Sequence, residues 1–182
     1  MFPQVHILLD RFLDFEHRLM MGVHSLDRGR INPTLYVGGQ YNLRGLQKLR
    51  ELGITAIINM RMHSPFRETH FKTIKYLHLP TRDHAAPSMA NLMKGADFAD
   101  AEIKNGGIVF IHCRQGIGRG PTMAIAYLLK TGDSFEDAFV KVKKARSFIH
   151  PTRVQMQRLK ELEKYYNPLP DTLKAPGFSN GN

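Results

Sequence analysis

The chain has 182 residues, 42% of them hydrophobic, a formal net charge of +10 and one cysteine. That length suits one domain with a substantial core. The lone cysteine excludes an intramolecular disulfide, argues against a cysteine-built zinc site and fits a reducing, cytoplasmic setting. The basic excess favours phosphorylated, nucleic-acid or membrane-surface partners without choosing among them. No stretch approaches a membrane span, so stable membrane insertion is not expected. The first apolar run, Ile7-Leu8-Leu9, is cut by Asp10 and Arg11 and does not read as a signal peptide.

Met1 to about Met21 predicts an amphipathic helix, with Val5, Leu8, Leu9, Phe12, Phe15 and Leu19 at helical spacing. The expected role of that stripe is packing on the rest of the chain, with a dimer contact or membrane-surface attachment as alternatives. Residues 1–30 are read as an N-terminal helical extension and 31–166 as the main domain. Ile31 to Gly39 predicts a first strand. Asn42 caps a helix to about Leu52, stopped by Gly53. Thr55 to Asn59 and Ile74 to Leu79 predict short buried strands, with a polar loop or short helix between them. Pro80 to Pro87 is a loop, and Ser88 begins a helix reaching about Lys104.

Ile108-Val109-Phe110-Ile111 is an apolar, β-rich run that ends at Cys113 and a turn containing Gly116, Gly118 and Gly120. A helix follows from about Gly118 to Lys130, with Pro121 in its first turn, where an N–H needs no partner. Ser134-Phe135-Glu136-Asp137 reads as a capping box for a helix to about Arg146. Pro151 and Thr152 introduce a last helix to about Tyr166, and 167–182, rich in Pro and Gly, reads as a flexible tail. Lys141, Lys143, Lys144 and Arg146 read as an exposed basic helix face. The whole predicts an α/β fold: a central, mostly parallel, twisted sheet of about four to five strands flanked by helices.

A strand that runs through a glycine-rich turn into a helix offers unpaired N–H groups and the positive end of a dipole, an oxyanion site. Cys113 sits in that turn, where aligned amides and cationic neighbours favour an ionised, nucleophilic sulfur. Arg119 lies six residues on, and its guanidinium fork can hold two oxygens of a tetrahedral anion. A strand–loop–helix–strand order makes the strands before Asp83 and before Cys113 parallel, so both residues fall at one edge of the sheet.

His112-Cys113-Arg114-Gln115-Gly116-Ile117-Gly118-Arg119 resembles the HC-x5-R signature of cysteine-dependent protein phosphatases. The surroundings from about Ile31 to Tyr166 resemble the small, atypical dual-specificity branch, down to the Leu79-Pro80-x-x-Asp83 context and Gln155 in the last helix. The resemblance implies Cys113 as nucleophile and Arg119 as phosphoryl binder. The backbone from Arg114 through Gln115, Gly116, Ile117 and Gly118 to Arg119 would be the cradle, with His112 supporting it. Asp83 would be the general acid, in preference to Asp97 and Asp100. No metal or cofactor is implied.

The expected activity is hydrolysis of phosphate monoesters through a cysteinyl phosphate. The expected partner is a protein carrying phosphotyrosine with phosphoserine or phosphothreonine. Phosphoinositide and RNA 5′-phosphate are the alternative substrates, and a non-catalytic phosphate-binding module is the alternative class. A rhodanese-like sulfurtransferase fits less well, because such loops are shorter. One position departs from the family pattern: Gly120 stands where Ser or Thr usually follows the arginine. A hydroxyl there bonds the sulfur and eases breakdown of the phosphoenzyme, so slow dephosphorylation of Cys113 is expected.

Overall fold

The computed structural model describes residues 3–64, 66–71 and 73–167; the tail read at 167–182 lies, from residue 168 on, outside the described residues. The helices are α1 (Pro3–Met21), α2 (Leu43–Glu51), α3 (Met89–Lys104), α4 (Arg119–Lys130), α5 (Phe135–Ala145) and α6 (Arg153–Tyr166). The strands are β1 (Arg30–Asn32), β2 (Leu35–Gly38), β3 (Ala56–Asn59), β4 (Lys75–His78) and β5 (Val109–His112). They form one five-stranded sheet in the order β1-β2-β5-β3-β4. Only the β1–β2 pairing is antiparallel; β2–β5, β5–β3 and β3–β4 are parallel. The strand predicted from Ile31 to Gly39 is therefore two, because the Asn32 side chain accepts from the amide and hydroxyl of Thr34 and closes a turn.

Both faces of the sheet are covered, which is why its strands read as unbroken apolar runs. Alternate side chains serve opposite cores. Val109, Ile111 and Ile58 join the cluster beneath α3–α6. Phe110 and Ile57 join a second cluster with Leu46 and Leu49 of α2. Helix α4 is buried over nearly its whole length and packs against α3, α5 and α6. A helix apolar on all sides belongs in such a central place.

Caps fix most of the boundaries. Asn42, Ser88, Ser134 and Thr152 each accept from an amide three residues on. The reciprocal capping box, however, is at Thr152–Gln155. At Ser134 the hydroxyl donates to the Asp137 carboxylate instead.

Two further expectations are overturned. Arg146 does not extend the exposed basic face; it is 1% exposed. The apolar stripe of α1 does not pack inward: Leu8, Phe12 and Leu19 are 66%, 58% and 64% exposed, while Asp14 is 1% exposed. The side of α1 that meets the body is the polar one, held by specific bonds. Arg28 donates to the carbonyl of Asp10 (3.1 Å), Ser147 Oγ to the Asp10 carboxylate (2.6 Å), and His17 Nδ1 lies 2.9 Å from the carbonyl of Val23. Among the described residues no helix is long and apolar enough to cross a membrane.

Candidate active site

β5 delivers Cys113 to the C-terminal edge of the sheet, and the chain between it and α4 wraps around the sulfur. Every carbonyl from residue 114 to 118 points away from the sulfur and is bonded from outside. Arg114 O accepts from the amide of Gln40 (3.0 Å), and Ile117 O from the amide of His150 (2.8 Å). Gln115 O and Gly116 O both accept from Arg146, each at 2.9 Å. Gly118 O accepts from the amide and the hydroxyl of Thr122 (2.9 Å each). Peptide planes so anchored turn their N–H groups inward. The amide of Gly116 donates to Cys113 Sγ at 3.3 Å. Those of Arg114, Gln115, Ile117, Gly118 and Arg119 have no backbone or side-chain acceptor among the described residues. This ring of donors is an oxyanion nest.

Glycine is required at 116. Its φ is +68°, and a Cβ there would lie 2.5 Å from the carbonyl carbon of Gly38 and 2.9 Å from Arg146 Nε. At 120 it is not required: a Cβ would sit in ordinary contact, 3.6 Å from Cys113 Sγ. Thr122, the other hydroxyl nearby, is engaged with Gly118 O and makes no bond to the sulfur.

Arg119, at the start of α4, is 5% exposed. Nη1 donates to Thr81 O (2.8 Å) and Met60 O (3.4 Å), and Nη2 meets Asp83 Oδ1 at 2.9 Å. Its buried Nε has no partner among the described residues. Asp83 and Cys113 line one cavity of about 420 Å³, with Arg114, Gln115, Ile117 and Gly118. The strands that lead to these two residues are parallel, as the sequence order requires, but β3 lies between them. The loop that carries Asp83 is pinned by α6, whose Thr152 donates to His84 O (3.0 Å) and whose Gln155 donates to Ala85 O (2.9 Å). Asp97 and Asp100 are on α3, paired with Lys130 and Lys104.

His112 is buried between Phe110 and Tyr41, with ring centroids 5.8 and 4.9 Å away. Burial pushes its pKa down to about 3; the carbonyl of Cys113, 3.2 Å from Nδ1, opposes the shift, and the charge on Arg61 adds to it. The ring is therefore neutral at physiological pH and suited to orienting that carbonyl.

Sequence reasoning missed the brace behind the nest. The Arg146 side chain is wholly buried and paired with Asp14 of α1, Nη2 to Oδ2 at 2.7 Å. Asp14 also accepts from His24. Burial raises the pKa of Asp14, but the bonds from His24 and Arg146 outweigh that and leave it lowered. His24 is lowered by burial in spite of the carboxylate beside it. The one hint in the sequence was Asp14 itself, on the polar side of a helix whose apolar side proved unpartnered.

The family model for the dual specificity phosphatase catalytic domain matches residues 35–165. The chain belongs to the dual-specificity phosphatase family. It is 38% identical over 148 residues to dual specificity protein phosphatase 1-A of Xenopus laevis, covering 78% of this chain and 39% of that one. It is 37% identical over 136 residues to dual specificity protein phosphatase 1 of Homo sapiens, covering 73% and 36%. The chain thus spans about two-fifths of the length of these relatives. The crystal structure of PTPMT1 superposes with a TM-score of 0.71 at 29% identity, covering 76% of this chain and 94% of that one. The matched region, 35–165, does not include α1 or Asp14.

Two outcomes follow from these contacts. Asp14→Ala leaves the Arg146 guanidinium buried without its counter-charge, which should cost about 3–5 kcal/mol, read as a lower denaturant midpoint; an unchanged midpoint would refute the brace. Because His112 and His24 have folded pKa values below the ordinary 6.5, the unfolded chain takes up protons that the folded one refuses. Stability should therefore hold above pH 6.5 and fall towards pH 4 by about 1.4 kcal/mol per pH unit for His112, with a further loss in the same direction from His24. Asp14, lowered from 3.8, adds a loss only below that value. Urea titrations across this range would show a flat profile if the two rings were not held neutral.

Proposed function

We propose that the chain is a cysteine-dependent phosphatase that hydrolyses phosphate monoesters, with phosphotyrosine and phosphoserine or phosphothreonine of proteins as substrates. The observation that carries this reading is the nest around Cys113 Sγ, its carbonyls tied outward so that its amides face the sulfur. In the proposed reaction Cys113 Sγ attacks phosphorus in line with the leaving oxygen. The P–O bond breaks as the S–P bond forms. Charge spread over the three equatorial oxygens meets fixed donors, and positioning and electrostatics do most of the work in such transfers. The amides of 114–119 supply most of these donors; Arg119 supplies Nε and a share of Nη2. An incoming phosphate competes with Asp83 for that nitrogen; the freed Asp83 carboxylate takes up the proton that a singly protonated phosphate ester brings and passes it to the leaving oxygen. In the second step the Asp83 carboxylate takes a proton from water as the water attacks the cysteinyl phosphate, and the thiolate departs. His112, neutral and orienting, transfers no proton. No step requires a metal ion. A single cysteine and the reducing conditions it needs accord with a cytoplasmic setting.

A phosphoinositide is the second reading. It is favoured by the likeness to PTPMT1 crystallised in complex with PI(5)P, with TM-score 0.70, 29% identity and coverage of 75% and 94%. Arg114 adds positive charge at the cleft mouth, though the loop contains no lysine. A non-catalytic module is the less economical reading, since Cys113, Arg119 and Asp83 share one cleft.

Hydrolysis of p-nitrophenyl phosphate and of phosphotyrosine peptides should proceed with chelator present. Cys113→Ser should reduce it to background, and Asp83→Asn should lower kcat by about 10²–10⁴-fold. Activity in the Cys113→Ser protein would end the proposal. Separately, wild-type enzyme should release a burst of product equal to enzyme and then turn over slowly. Gly120→Ser places a hydroxyl one bond beyond a site 3.6 Å from the sulfur; it should remove the burst and raise steady turnover. An identical time course in both proteins would show that breakdown of the intermediate is not limiting.

A further inference from the structure

Helix α1 is inside out relative to an ordinary surface helix, whose apolar stripe faces the core. Leu8, Phe12, Phe15 and Leu19 make one stripe along its outer side, 66%, 58%, 49% and 64% exposed, and Met20 beside them is 69% exposed. An exposed apolar patch of this extent marks an interaction surface. Its inner side is fixed by the Asp14–Arg146 pair and the Asp10–Ser147 bond, so the stripe has no route into the core.

The edge of the stripe nearest the cleft is cationic. A cavity of about 520 Å³ joins the side chains of Leu8, Phe12 and Phe15 to those of Arg11, Arg18 and Arg114. It adjoins the catalytic cleft, with Arg11 and Arg114 lining both. None of these arginines pairs with a carboxylate among the described residues. Arg18 is partly buried and repelled by Arg61 and Arg114. Like charges so gathered cost stability, which Asp14, already paired with Arg146, offsets only in part unless a further anion meets them.

An acidic peptide would satisfy the arginines and leave the stripe bare. A second copy of the chain would cover the stripe but bring arginines against arginines, with Glu16 the one acid on the outward side. A bilayer with anionic headgroups meets both features at once: apolar side chains sink below the headgroups while arginines lie among the phosphates. The chain's charge of +10 adds long-range attraction. We infer that α1 is an interfacial helix that seats the catalytic cleft against an anionic lipid surface. The helix lies on the membrane and does not span it, and the cleft mouth, sharing Arg11 and Arg114 with the docking cavity, faces substrates carried there. The inference goes beyond the phosphatase reading, since docking needs no turnover.

The test is sedimentation of the full chain with vesicles of phosphatidylcholine alone and of phosphatidylcholine with phosphatidylserine. Phosphatidylserine carries no phosphate monoester, so binding is separated from catalysis. The expected result is a roughly hundredfold preference for the anionic vesicles, about a factor of five for each of three arginines, that fades with added salt. Phe12→Ser with Leu19→Ser should abolish binding while leaving p-nitrophenyl phosphate hydrolysis and the circular dichroism spectrum unchanged. Arg11→Gln with Arg18→Gln should remove most of the preference. Equal binding to both vesicles, or none, overturns the inference. So does a dimer by light scattering that Phe12→Ser disperses without any vesicle binding, and so does tight binding of an acidic phosphopeptide by a protein that ignores vesicles.

Discussion

Five carbonyls bonded outward between residues 114 and 118 are the constraint on which the rest of the site depends. A loop whose amides converge on one point repels itself, because their dipoles are aligned head to head; without anchors its peptide planes would rotate to relieve this. The anchors come from four separate places: Gln40 after β2, Thr122 in α4, Arg146 after α5 and His150 before α6. The fold brings those places together, so the cradle is preorganised by the whole domain and not by the loop's own sequence. That is what electrostatic catalysis needs, since donors already in position cost no reorganisation when charge develops.

Arg146 carries the largest share, and its own surroundings explain why a basic residue is tolerated in a dry interior. A buried ion pair is weak evidence of stabilisation, because desolvation offsets much of the attraction and an apolar replacement can do as well. Asp14–Arg146 is better understood as positional. The guanidinium spans two loop carbonyls and a carboxylate at once, which neither a lysine nor an apolar side chain can do. Asp14 neutralises it and receives His24 as well. Helix α1 thereby reaches the loop around Cys113 through the Asp14 and Arg146 side chains, and the same helix leaves its other side apolar and exposed.

The sequence made the local chemistry legible and left the long-range partnerships hidden. Cys113, Arg119 and the glycines lie within eight residues, so their spacing alone shows the cradle. Asp83 was reachable because a strand–helix–strand order fixes which sheet edge two loops share. Caps at Asn42, Ser88 and Thr152 were legible because a cap is a contact three residues long. By contrast, Arg146 and Asp14 are 132 positions apart, and nothing local separates a buried arginine from its exposed lysine neighbours. The period of α1 announced an amphipathic helix correctly, but periodicity states that a face exists and not which way it turns. Here specific polar bonds outweigh the burial of the stripe, which is the reverse of the usual outcome.

The acid and the phosphate-binding arginine are in contact, 2.9 Å apart, although their proposed duties begin only when a phosphate arrives. Asp83 is more than half exposed and Arg119 is almost wholly buried, so the two cannot be equivalent partners. The guanidinium is fixed from behind by Thr81 O and Met60 O and cannot follow the carboxylate. The loop that carries the carboxylate is pinned by α6, but the Asp83 side chain is more than half exposed and free to rotate off the guanidinium. In the proposed reaction a phosphate entering the nest would meet six amides, one of them already on the sulfur, and one cation held from behind, and would displace the exposed Asp83 side chain rather than the buried arginine. In that proposal the contact is a placeholder that keeps Arg119 aligned, and its asymmetry gives the side-chain motion to Asp83. Beside that pair, Gly120 leaves room, 3.6 Å from the sulfur, for a side chain whose hydroxyl the site lacks.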